Sequence, residues 1–424
     1  MRIKYKISSM FKIIFYLIIS CFYSSLFAQD CHEVTPIRWL IKEVEEVHPG
    51  LLLKRLSLDQ TVAREHDAKK FINPELEHFS VAGREFEPKK VYMNETRLWF
   101  TLQLAGKRQG KIQEWERAVE LENYEAHILK QAVLKDLWVN FFRLHQIHEE
   151  IKIKTRIISK LESILEQYQK RRALSPDQMM EERIIKMVVD NFELSSNILS
   201  REKLSIFEFL KEVTGYQCQI KQISSEEDSI KWPNANDVKS RTTEQLILSK
   251  LATLELSLSK AQESLADKKA TPDIRIAPLI QNYQTGDMDV YTGGISFVFP
   301  LALFDRNQSE RLQSKLLSGW SERRVELEKK KENQQLVFKL EKYESGLSVL
   351  KEIDVIEQSL KRFDSVQTWF REGKISISNI VEFCRQLDEI TKNYHHGENM
   401  LMSDLLGIYE LRGSITSENL LKLI

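Results

Sequence analysis

The chain has 424 residues, with 62 basic and 62 acidic side chains, 14 glycines and 9 prolines. Balanced charge with no Lys/Arg cluster excludes a nucleic-acid or phosphate-binding face. So little glycine and proline, with 29% of residues charged, points to a helix-rich protein.

Arg2, Lys4, Lys6 and Lys12 lead into the apolar run IIFYLIISCFYSSLFA, which ends at Ala28. A basic start, an apolar stretch and a small residue make a secretory signal of residues 1–28, with a mature chain starting near Gln29. A second reading takes Ile18, Ile19, Ser20 and Cys21 as a lipoprotein cleavage box. Loss of the four cations leaves the mature chain about four charges negative. No later segment is apolar over 18 to 20 residues, so any membrane contact must come through strands. Cys31, Cys218 and Cys384 survive in a compartment that permits disulfides; a Cys31–Cys218 bridge is allowed, and Cys384 has the setting of a buried helix residue.

A first unit, 29–225, predicts a helix, two strands near 73–83 and 95–105, a long helix, and a turn near 172–177 that leads to a returning helix. Between Gly110 and Ser175 there is neither Gly nor Pro, and a helix of that length extends on the order of 100 Å. Leu137, Phe141, Leu144, Ile147 and Ile151, then Ile158, Leu161, Leu165 and Tyr168, follow the spacing of a packed stripe. Such a helix must lie beside others of similar length. A second unit, 226–424, predicts a helix, strands near 272–283 and 290–300, a long helix from Arg306 to about Arg371 interrupted only by Gly319 and Gly346, a turn near 372–378 and a returning helix.

Three landmarks tie the units together as a tandem duplication. Pro74 and Pro272 are 198 residues apart, Gly106-Lys107-Arg108 and Asp305-Arg306-Asn307 are 199 apart, and Ser175 and Ser376 are 201 apart. Both turns therefore lie at one end of a rod and all the strands at the other.

The strands alternate. Leu98, Phe100, Leu102 and Leu104 interleave with Arg97, Trp99, Thr101 and Gln103, and Ile295, Phe297 and Phe299 with Gly294, Ser296 and Val298. That pattern suits a wall with lipid outside and water inside. Four strands cannot close, since the smallest filled barrels need about eight, and open edges in lipid leave backbone groups unpaired. Closure must come from several chains.

These pieces resemble the TolC-like outer-membrane efflux proteins over nearly the whole mature chain. The carriers are NPELEHF and TPDIRIA at the strand openings, LQLAGKRQGKI and FVFPLALFDRNQSERL at the strand-to-helix returns, and FREGKISISNIVEF at the distal turn. The GKR and LFDRNQ forms resemble the subgroup that serves heavy-metal exporters. The resemblance implies a mostly α fold with a small β part: long helical hairpins and four strands per chain, completing a 12-stranded transmembrane β-barrel in a homotrimer built of two tandem repeats. It places Gly106, Lys107, Arg108, Pro300, Asp305, Arg306 and Asn307 at the transition from barrel to tunnel. It implies a passive duct in the outer membrane that reaches into the periplasm and is coupled to a periplasmic adaptor protein and an inner-membrane efflux pump, with metal cations as a candidate cargo. Three departures stand out: Ala105 and Ser309, where relatives often have glycine, and Pro278 inside the third strand.

No catalytic constellation is visible, and neither enzyme chemistry nor a cofactor is expected. His145, His148 and Glu149 lack the three or four converging ligands of a zinc site, and His395 and His396 diverge because they are adjacent on a helix. By the resemblance, Arg172, Ala173, Leu174 and Ser175, with Gly373, Lys374, Ile375 and Ser376, form the tip that meets the adaptor. Glu382 matches a tunnel-facing acid, Glu181 is its counterpart at the same 201 spacing, and Arg385 stands where a second acid occurs in some relatives and could latch the tip by pairing with an acid. The alternative is a periplasmic coiled-coil adaptor or scaffold without a pore.

Overall fold

A computed structural model describes residues 34–84, 90–215, 222–224, 231–240, 245–285, 288–352 and 355–423. The signal segment, Cys21, Cys31 and Cys218 lie outside the described residues. The first half runs β1 (Val34–Pro36), α1 (Ile37–Val47), α2 (Pro49–Lys69), β2 (Glu75–Arg84), β3 (Lys90–Leu102), α3 (Lys107–Gln169) and α4 (Pro176–Thr214). The second half runs β4 (Gln222–Ser224), α5 (Ala235–Ser240), α6 (Ile247–Lys269), β5 (Ile274–Thr285), β6 (Met288–Val298), α7 (Gln308–Glu352), α8 (Val355–Asp364), α9 (Val366–Arg371), α10 (Ile377–Leu411) and α11 (Ser417–Leu421). The chain is mostly helical, with one four-stranded sheet.

That sheet is antiparallel throughout, in the order β2-β3-β5-β6, so the first hairpin meets the second through its inner strands. The offset is constant: Arg97 faces Leu279, and Phe100 faces Ile276. Between those pairs the β3–β5 ladder opens opposite Pro278, where a missing N–H leaves nothing to donate. Among the described residues, strands β2 and β6 are free edges. A parallel pair, β1 with β4, ties the beginning of the first unit to its end.

Helix α3 has 63 residues and extends about 95 Å. It forms because no glycine or proline interrupts it after Gly110 and because one stripe is buried from Val133 to Tyr168. The stripe is carried by Leu134, Leu137, Phe141 and Ile147, then by Ile153, Ile157, Leu161, Ile164 and Tyr168. Ile158 and Leu165, expected on that stripe, are only half-buried. The seam drifts because 3.6 residues per turn do not divide a seven-residue repeat.

Two apolar clusters form the core. The larger joins α1, the middle of α3, the end of α4, α7, α10 and α11 around Trp138, Leu134, Ile147, Tyr343 and Leu406. The smaller lies toward the turns, around Ile157, Leu161, Ile185, Phe363, Ile380 and Cys384. Each fully buried Leu, Ile or Phe contributes roughly 1.5–3 kcal/mol relative to exposure, so cohesion is spread along the rod.

The second long helix departs from expectation. Gly319 and Gly346 do not interrupt α7 (Gln308–Glu352); residues 353–354 lie outside the described part, and α8 and α9 follow. At Ser365 the N–H donates to the carbonyl of Arg362, three residues back, a 3₁₀ turn that tightens the path without glycine or proline.

Candidate functional site

The register sorts the sheet into two faces. On one lie Leu76, Leu98, Phe100, Leu102, Ile274, Ile276, Ile280, Ile295, Phe297 and Phe299, and many are open to solvent, as with Leu76 at 73%, Ile280 at 68% and Ile295 at 66%. On the other lie Glu75, Glu77, Glu95, Arg97, Trp99, Arg275, Gln281, Thr292 and Ser296. There Trp99 (6%), Glu95 (7%) and Ala277 (0%) are buried, although no helix packs across either face. Crowding on one side and splaying on the other is what a curled sheet produces, so the polar face is concave and the apolar face convex.

Both strand-to-helix returns pass through left-handed backbone. Ala105 has φ of 56°, Gly106 of 69° and Asn307 of 59°. Helix α3 starts at Lys107 and α7 at Gln308, so the structural counterpart of Gly106 is Asn307 and not Asp305. The turn therefore shares the 201 spacing of the tips. A side-chain oxygen of Asp305 accepts the N–H of Asn307 at 2.8 Å, and the Asn307 amide donates to the carbonyl of Ala266 at 3.1 Å. In the other return, Lys107 pairs with Asp273 at 2.7 Å, and Arg108 donates to the carbonyl of Lys69 with its guanidinium over the Phe71 ring. Pro300 ends the strand two residues after Val298, and Arg306 donates to the carbonyl of Ala302.

The two distal turns sit together. Leu174 and Ile375 pack against the same apolar cluster, and the neighbouring Arg172, Ala173, Ser175, Gly373, Lys374 and Ser376 are exposed. Ser175 caps α4 through a reciprocal box with Gln178, and Ser376 accepts the N–H of Asn379 at the start of α10. Gly373 has φ of 68°, which admits the tight reversal after α9.

The acidic candidates separate. Glu181 is half-buried and accepts the Tyr168 hydroxyl at 2.6 Å, tying α4 to α3. Burial of Tyr168, reinforced by Glu181, pushes its hydroxyl pKa upward. Glu382 is exposed and takes a bidentate contact from Arg385 at 2.7 and 2.9 Å, and a third bond from Gln386. Those bonds hold its carboxyl at about 2. Arg385 also reaches Glu389, so among the described residues its acid partners lie on its own helix, three and four residues away.

A polar constellation across α3, α4 and α10 was not legible in the sequence. Arg143, Gln146 and Glu150, on one face of α3, meet Glu202 of α4 and His395 and Glu398 of α10. Arg143 donates to Glu202 at 2.7 and 3.0 Å and to Glu150 at 2.8 Å, His395 Nδ1 lies 3.1 Å from Glu150, and Gln146 donates to Glu398 at 3.1 Å. Burial opposes ionisation of Glu150, but hydrogen bonds from His395 and Arg143 outweigh it and hold the carboxyl at about 2. Burial pushes Glu398 upward. One turn nearer the tip, the buried amine of Lys154 pairs with Asp388. His396 is exposed, as are His148 and, partly, His145 and Glu149. Among the described residues no group of three or more His, Cys, Asp or Glu could hold a metal ion. Cys384 is buried, and burial pushes its thiol to about 12, a packing role and not a reactive one.

Two further apolar stripes lack a partner among the described residues. On α4, Met180, Ile184, Met187, Leu194 and Ile198 are exposed opposite the face that packs on α3; on α7, Leu312, Leu316, Trp320 and Leu327 are exposed. Their three-and-four spacing is that of a helix-packing seam.

No protein-family model and no curated protein matches the sequence. Solved structures do match in fold. CusC, described for its transmembrane channel formation, superposes with a TM-score of 0.69 at 11% identity over 91% of this chain and 95% of its own. The CmeC outer membrane channel of Campylobacter jejuni gives 0.67 at 13% identity over 88% of this chain and 85% of its own, and the open-state MtrE outer membrane channel of Neisseria gonorrhoeae gives 0.68 at 12% over 90% and 89%. At these identities the likeness is one of fold.

Proposed function

We propose that the chain is one subunit of an outer-membrane export duct: a homotrimer whose twelve strands close a barrel and whose helices continue it as a tunnel into the periplasm. The observation that carries this reading is the two-faced sheet. In its half nearest the helices the convex side is apolar and exposed and the concave side is charged, and its two edges are free among the described residues, while the longest helix attached to it is several times longer than those of an ordinary globular domain. Each unpaired backbone group on an edge in lipid costs several kcal/mol, and pairing β6 of one copy with β2 of the next removes that cost. The unpartnered stripes on α4 and α7 supply the matching contacts along the tunnel. The spacing of 201 residues shared by the left-handed returns, the tip caps and the two glutamates supports an origin by duplication, with units 29–225 and 226–424.

The duct does no chemical work. Transport energy comes from an inner-membrane pump, joined through a periplasmic adaptor that meets the exposed tip residues Arg172 to Ser175 and Gly373 to Ser376. Exposed Glu382, repeated by threefold symmetry, sets the charge at the tunnel mouth, and Glu181 holds the tip hairpin closed through Tyr168. The GKR and LFDRNQ resemblance supports metal cations as cargo. No described helix is long and apolar enough to cross a membrane, so the sheet is the part that enters lipid.

Mass measurement in mild detergent and conductance across planar bilayers test this reading. A trimer that conducts is expected. A lone chain without conductance, released from membranes by urea, overturns it and favours the scaffold.

A further inference from the structure

The concave face of the sheet holds a cluster that neither strand closure nor the tip requires. Trp99 lies with the Arg275 guanidinium 4.9 Å from its ring centroid and that of Arg97 at 5.9 Å. Its indole N–H donates to Glu77 at 2.6 Å, Arg275 donates to Glu75 at 2.6 Å, and Arg97 pairs with Glu95 and lies 3.8 Å from Glu77. Three strands contribute, all at the end of the sheet nearest the helices. The cations are drawn against the indole face, an attraction that strengthens as water is excluded. The carboxylates of Glu75 and Glu77 stand outermost, with side chains 65% and 53% exposed, against 34% and 37% for Arg97 and Arg275 and 8% for Glu95.

On the described concave face these five are the only charged residues, three acids against two cations. Each chain thus presents one net negative charge, carried by the two carboxylates nearest open water.

We infer that Glu75 and Glu77, seated on the Arg97–Trp99–Arg275 stack, form a cation-preferring band where the barrel lumen meets the tunnel, a selectivity element distinct from the distal tip. This rests on the duct reading above, because threefold closure turns one excess charge per chain into a ring around the path. Fixed charge at a narrowing raises the local concentration of the opposite sign and biases permeation toward it. The solutes favoured are small hydrated cations, and the bias is greatest at low salt, where screening reaches farthest.

The test is the reversal potential of the purified full-length protein in planar bilayers under a potassium chloride gradient at low ionic strength. Wild type is expected to prefer potassium over chloride. The double variant E75Q/E77Q keeps acceptors for Trp99 and Arg275 while the face becomes net positive, and should lower the cation-to-anion permeability ratio by roughly twofold or more. The single variant E75Q should fall between, and provides the readout if the double variant does not assemble. Tip variant E382Q serves as the comparison: a shift with E382Q but none with conducting E75Q or E75Q/E77Q channels overturns the inference. Absence of conductance in wild type overturns the duct reading instead.

Discussion

Glu332 and Ser249 are joined by a backbone-to-carboxylate bond of 2.8 Å, and the other oxygen of Glu332 accepts the N–H of Leu248 at 2.7 Å. Helix α6 begins after Leu246, which has no side-chain acceptor to offer. Its cap comes instead from α7, more than 80 residues downstream, through a carboxylate with no exposed surface. Negative charge at a helix N-terminus is favourable, and buried donors without an acceptor are costly.

Replacing Glu332 with Ala should therefore cost about 2–4 kcal/mol, and with Gln about half of that, because one amide oxygen replaces two acceptors. Thermal unfolding in detergent, followed by circular dichroism, measures it. A change within about 0.5 kcal/mol of wild type would show that the cap is dispensable.

The polar clasp between α3, α4 and α10 predicts an acid response. Glu150, normally near 4.5, is held at about 2 in the folded chain. Its contribution is complete above the unfolded pKa and drains away as pH falls from about 4.5 toward 2. Glu398 is shifted upward by burial, so its protonation on acidification favours the fold and partly offsets that loss. Unfolding followed against pH should show stability falling below about pH 4.5, with a shallower slope in Glu150→Gln. Arg143→Met leaves Glu150 with His395 alone and returns the partly exposed Glu202 to water, and should cost about 1–3 kcal/mol near neutral pH.

At the tip, Glu382→Ala should raise single-channel conductance, since it removes the ring of carboxylates that threefold symmetry places at the tunnel mouth. With its carboxyl at about 2, Glu382 stays ionised across the neutral range, so its effect should not vary between pH 5 and 8. Equal conductance in the variant dismisses the gate role.

Much of the chain was legible because its signals are local. Period-two alternation in Leu98 to Leu102 and Ile295 to Phe299 marks strands wherever they end up, and Ser175 and Ser376 announce helix starts by their own hydrogen bonds. What escaped depends on contacts between distant segments. His395 and Glu150 are 245 residues apart, and each on its own looks like a polar position on an amphipathic helix. Glu332 sits in the run EKKKENQQ, which gives no hint of burial. The exact point of the second return is hidden because LFDRNQ holds no glycine, yet Asn307 occupies the left-handed position that Gly106 takes in the first.

Ala105 pays for its place in the first return. An L-residue at φ of 56° is strained by roughly 1–2 kcal/mol. Ala105→Gly should relieve about 1 kcal/mol and raise the unfolding temperature by a few degrees. A lower unfolding temperature would mean that glycine frees the unfolded chain more than it relaxes the fold.

The open stripe on α4 predicts an assembly defect without a folding defect. Met187 is 70% exposed and Leu194 60%, so Met187→Asp with Leu194→Asp should leave helicity unchanged while trimers dissociate in native mass measurements. Unchanged trimers would place the contact elsewhere.

The two free sheet edges, β2 and β6, also carry a genetic consequence. A cylinder sealed from identical staves is broken by a single bad one, so a copy whose β6 rim cannot bond should spoil its healthy siblings when both alleles are expressed. Such a lesion would be dominant, whereas one that merely prevents the chain from being made would be recessive.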